Sequence, residues 1–109
     1  MSDTLLVLTN LPDAASAERI ARLLVEQRLA ACVNLLAPCT SVYRWNGAVE
    51  TATEVPLLIK TTRARYAELQ ATLAEAHPYE LPEIVAVPLE AGLPGYLAWV
   101  AAETTPPQA

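Results

Sequence analysis

The sequence predicts one α+β domain whose elements follow in the order strand, helix, strand, strand, helix, strand, closed by a short terminal helix. Three observations carry this reading: two helical patterns, each flanked by apolar extended runs; the dipeptide Asn46-Gly47 between two extended segments; and a length of 109 residues, enough for one core. That order is the split βαβ, or ferredoxin-like, plan. Right-handed crossovers then place both long helices on one face of a four-stranded antiparallel sheet.

Taken in order, Leu5 to Leu8 is a continuous aliphatic run closing on the turn-rich Thr9-Asn10-Leu11-Pro12-Asp13, and reads as a buried strand. Asp13 or Ser16 caps a helix in which Ala17, Ile20, Ala21, Leu24 and Val25 recur at helical spacing, extending to about Leu29. From Ala31 to Trp45 the composition is extended, with a bulge or bend expected at Pro38. Asn46-Gly47 demands positive φ at both positions of a two-residue type I′ turn, and the chain returns through Ala48, Val49 and Val55 to Thr61. Fourteen residues from Cys32 to Trp45 would reach about 46 Å, so the hairpin tip should project past the core. Thr62 is placed to cap a second helix with the stripe Tyr66, Leu69, Leu73, Ala76; a last strand occupies about Glu83 to Leu89, and Tyr96 to Val100 form the short helix. The domain spans 1–103, and 104–109 is expected to be a frayed tail.

A net charge of −5 with only seven Lys and Arg argues against nucleic acid, whose phosphates must be neutralised, and favours cations. Hydrophobic residues reach 53%, yet no apolar run approaches the roughly 18 residues needed to cross a bilayer, and the N-terminus lacks a basic leader segment. A cytoplasmic address without membrane association is expected. Cys32 and Cys39, seven apart on one extended segment, would stand about 23 Å from each other and are read as free thiols.

The apolar surplus also bears on assembly. The first, third and fourth strands are continuous hydrophobic runs, not the alternation of a sheet with one wet face. The face away from the helices therefore needs a cover, and the economical cover is another copy of the chain. A homo-oligomer is expected on this ground.

Chemistry concentrates in His77-Pro78-Tyr79-Glu80-Leu81-Pro82-Glu83, which holds the single histidine, two carboxylates and a phenol between two prolines. Each proline stiffens the segment and pushes the residue before it toward extended geometry. The segment is a bridge displaying polar groups at a helix exit, a candidate ligand site; equally, it is a rigid connection in which His77 caps the preceding helix. An enzyme is not expected. No serine sits in a Gly-x-Ser-x-Gly elbow, neither cysteine has an activating neighbour, and no phosphate-cradling glycine loop is present.

Four spaced motifs, Ala30-Ala31-Cys32-Val33-Asn34, Thr40 to Gly47, Leu58-Ile59-Lys60-Thr61 and His77 to Ile84, resemble the CutA family of divalent-cation-tolerance proteins over Leu5 to Trp99. That resemblance implies a homotrimer built like the PII signalling proteins, with clefts between subunits and a role in divalent-metal tolerance. It implies no tightly bound cofactor beyond a divalent cation such as Cu²⁺ or Zn²⁺, with His77 and Glu80 as candidate ligands. Where some relatives carry a cysteine and a second histidine, this chain has Thr9 and Ala76. Cys32, Asn34, Tyr43, Trp45, Glu50, Lys60, Tyr79 and Glu83 complete the expected ligand cleft. A PII-like module binding a small metabolite, or a purely structural trimer, are the alternatives.

Overall fold

The computed structural model describes residues 3–106. Its elements are β1 (Thr4–Leu11), α1 (Ala14–Glu26), β2 (Cys32–Leu35), β3 (Cys39–Trp45), β4 (Ala48–Thr62), α2 (Arg63–Ala76), β5 (Val85–Pro88) and α3 (Pro94–Glu103). The sheet runs β2-β4-β1-β5, every pair antiparallel, with β3 also on β4. The order is the ferredoxin-like one, with the expected long second strand divided in two. The division falls at Leu36, Ala37 and Pro38, as a residue without an amide hydrogen would dictate. β2 pairs Cys32↔Lys60 through Leu35↔Leu57, and β3 pairs Cys39↔Glu54 through Trp45↔Ala48. One strand of fifteen residues, β4, therefore serves both the sheet and the hairpin, in keeping with the long return expected from Ala48 to Thr61.

The core lies between the sheet and the two long helices. Val7 and Leu11 of β1, Val55, Leu57 and Ile59 of β4, Ile20 and Leu24 of α1, and Leu69 and Leu73 of α2 pack as one buried cluster. The period of two in β1 and β4 and of three to four in the helices aims these side chains at each other. Thr9 shares that buried face, and among the described residues its hydroxyl has no hydrogen-bond partner.

Helix ends explain where sequence reading and structure part. Asp13 caps α1, its Oδ1 accepting from the Ser16 amide at 2.7 Å, and that bond holds the Asp13 carboxyl below the usual carboxylate range. At the other end α1 stops at Glu26, short of Leu29, because Arg28 takes φ 58. The Arg28 amide then donates to the Val25 carbonyl at 3.0 Å and the Leu29 amide to the Leu24 carbonyl at 2.9 Å, the paired bonds of a Schellman ending. Leu29 is buried against the helix it has left. Thr62 does sit at the N-cap of α2, but its side chain makes no capping bond.

α3 is longer than expected and starts with Pro94 in its first turn. It packs on β1 and β4, and Tyr96 meets Cys32 on the sheet face away from α1 and α2. Arg28 secures its far end, donating through Nε to the Thr105 carbonyl and through Nη2 to the Ala102 carbonyl, both at 2.8 Å. Thr104, the first residue of the expected tail, is buried and donates to the Val100 carbonyl at 2.8 Å; positions 107–109 of that tail lie outside the described residues.

Beyond α3 the second face of the sheet stays open. Val85 and Val87 of β5 are 47% and 44% exposed, and Leu6, Leu8 and Leu58 beside them are half-buried. No helix among the described residues is long and apolar enough to cross a membrane.

Candidate functional site

The hairpin turns at Asn46 (φ 49) and Gly47 (φ 79), both in the left-handed region that a type I′ turn requires. Its register places Tyr43 opposite Glu50, Ser41 opposite Ala52 and Cys39 opposite Glu54, so by strand alternation these share one face with Trp45. The bridge between α2 and β5 stands against that face.

His77 anchors the bridge. Its amide closes α2 by donating to the Leu73 carbonyl at 2.9 Å, and its backbone is already extended, as the following proline requires. The imidazole is 7% exposed. Nδ1 accepts from the Tyr79 amide at 3.2 Å, which fixes the proton on Nε2, and Nε2 donates to the Asn10 carbonyl at 2.8 Å. Burial holds the His77 pKa below its ordinary value, against the Asn10 bond and the Glu54 carboxylate, which favour the charged ring.

Tyr79 packs its ring on His77 with centroids 4.9 Å apart, and its hydroxyl donates to Glu54 Oε2 at 2.8 Å. Burial and that carboxylate push the phenol well above the usual range. Tyr43 is raised in the same sense by desolvation and by Glu50. Asn10 adds a long bond, Nδ2 to Glu83 Oε1 at 3.4 Å. Between hairpin and bridge lies an open cleft of about 840 Å³, with three aromatic rings (Tyr43, Trp45, Tyr79) and four carboxylates (Glu50, Glu54, Glu80, Glu83) in its walls. Among the described residues, no lysine, arginine or histidine lines it.

The expected residues therefore divide. Tyr43, Trp45, Glu50, Tyr79, Glu80 and Glu83 meet in the cleft. Cys32, Asn34 and Lys60 do not; they share a patch on the sheet face away from α1 and α2, where Lys60 Nζ donates to Asn34 Oδ1. Of the expected metal pair, Glu80 lines the cleft and His77 does not, both of its ring nitrogens being bonded to backbone groups. No group of three or more His, Cys, Asp or Glu able to hold a metal ion occurs among the described residues. Glu54 and Asn10 are the residues that sequence reading missed. Glu54 was accessible through period two, being four positions from Glu50 on one strand; the approach of Asn10 is a tertiary fact.

Fold and cleft together define a class: a small ferredoxin-like subunit whose central strand runs on into a projecting hairpin facing a proline-stiffened bridge. The family model described as CutA1 divalent ion tolerance protein matches residues 5–103. The chain belongs to that family. The divalent-cation tolerance protein CutA of Thermus thermophilus is 45% identical over 98 residues, which are 90% of this chain and 95% of that protein. Protein CutA of Mus musculus is 46% identical over 89 residues, 82% of this chain; the chain spans only about half (50%) of that relative's length. The crystal structure of CutA from Xylella fastidiosa matches with a TM-score of 0.93 at 46% identity, covering 95% of this chain and 100% of that one.

Proposed function

We propose that this protein serves divalent-cation tolerance as a non-catalytic homotrimer that takes a cation in the cleft between hairpin and bridge. The carrying observation is the composition of that cleft, four carboxylates with no basic residue in its walls. Such a lining draws cations and repels anions, in keeping with a chain of net charge −5. The family description supports the tolerance role. Non-catalytic action is supported by His77, whose buried, fully bonded ring is unsuited to moving protons. Assembly is supported by the open face, whose exposed valines and half-buried leucines a second copy would cover. Two free thiols suit a reducing compartment, the cytoplasm.

Calorimetric titration with Cu²⁺ and Zn²⁺ tests the cleft. The heat should fall at least several-fold in a protein carrying both Glu50→Gln and Glu54→Gln, while His77→Gln retains it. Equal heats from the parent and the double variant would overturn the reading.

A further inference from the structure

The walls of the cleft carry more information than their charge. Glu50 and Glu54 lie on one strand, about 13 Å apart along it at the usual rise per residue. Each stands beside a phenol of its own, Glu50 opposite Tyr43 across the hairpin and Glu54 bonded to the Tyr79 hydroxyl. Glu80 and Glu83 stand on the opposite bank. Despite four carboxylates in one cavity, no three acidic or other metal-binding groups converge, among the described residues, to hold a metal ion. A single small ion would find one or two oxygens at a time and would keep most of its hydration shell, so the cleft would hold it only weakly.

The space between the carboxylates is aromatic. Tyr43, Trp45 and Tyr79 present ring surface, which attracts alkylammonium groups and packs against methylene chains. Trp45 stands beside the turn, at the tip of the hairpin, and is 38% exposed in the single subunit. A volume of about 840 Å³ is within the range of sites that enclose a flexible organic molecule.

We infer that the cleft binds a linear organic polycation, two or more ammonium groups joined by methylene chains, with its charges on the separated glutamates and its chain across Tyr43 and Trp45. The inference rests on the cation-accepting reading of the same cleft and names the class of cation. Distributed charge answers distributed carboxylates, and methylenes answer rings. An inorganic divalent ion matches only the first of these features, and only in part.

Spermidine, n-butylamine and Zn²⁺ are the probes, titrated calorimetrically into the full chain at fixed ionic strength. Spermidine should bind at least tenfold more tightly than n-butylamine. Trp45→Ala should weaken spermidine about tenfold, as loss of a cation–π contact of 1–2 kcal/mol implies, and leave the Zn²⁺ heat unchanged. Glu54→Gln should weaken both. Tyr43→Leu provides a second aromatic deletion if Trp45→Ala alters folding by circular dichroism. If Zn²⁺ binds and spermidine binds no better than n-butylamine, or if neither aromatic deletion affects spermidine, the polycation is wrong and the cation-accepting cleft stands. If none of the three probes binds, both fall.

Discussion

His77 shows how one side chain can be central to a fold without being its chemical tool. Its two nitrogens join the end of β1 to the bridge, so the ring must be neutral and must carry its proton on Nε2. Folding lowers its pKa from an ordinary value near 6.5, chiefly by burial. The unfolded chain therefore binds the proton more readily, and stability rises with pH between the two values. The contribution is complete above about 6.5 and is lost as pH falls through the lower folded value. His77→Gln should cost about 1–3 kcal/mol at pH 7.5, since the buried bonds are left poorly satisfied. The gap between parent and variant in urea midpoint should then narrow steadily below pH 6.5; a gap independent of pH would contradict the assignment. Sequence reading found this residue by its density of neighbours and also foresaw its helix-capping alternative, which is the role it holds. What sequence could not supply was the Asn10 carbonyl, brought alongside from 67 positions away.

Among the elements, the hairpin was the most legible, because Asn46-Gly47 announces a turn through backbone sterics alone. The strand break at Pro38 was legible for a similar reason. The end of α1 was not: Arg28 adopts a conformation usually left to glycine, and its guanidinium is engaged by carbonyls of α3 that no local pattern reveals. Two glycine substitutions separate backbone from packing effects. Around both Gly47 and Gly95 a new Cβ would meet no atom within 4 Å, but only Gly47 has positive φ, at +79°. Gly47→Ala should therefore destabilise by about 1 kcal/mol through strain, whereas Gly95→Ala, in the first turn of α3, should stabilise by about 0.5 kcal/mol by restricting the unfolded chain. Thermal midpoints moving in opposite directions would verify the pair; a Gly47→Ala protein as stable as the parent would refute the turn geometry.

For the molecule as a whole, α3 supplies part of the cover that the apolar surplus called for. α3 reaches the second face at Cys32, a cover that a helix expected to be so short did not promise. The Val85 end of that face remains open, and there the assembly expectation is concentrated. Val85→Lys adds a charge that a lone subunit tolerates at a half-exposed position but a covered sheet does not. Sedimentation at micromolar concentration should find the parent as a trimer and the variant as a folded monomer by circular dichroism; a variant that stays trimeric would move the interface elsewhere. The continuity of β4 has a mechanical outcome. Glu54 in the cleft is covalently next to Val55 in the hydrophobic cluster, on a ribbon laced to β1 from Val55 to Thr62. A load applied at the hairpin tip is thus passed to the longest ladder of the subunit, and occupancy of the cleft should register as slower amide exchange deep in β4 without any hinge having to move.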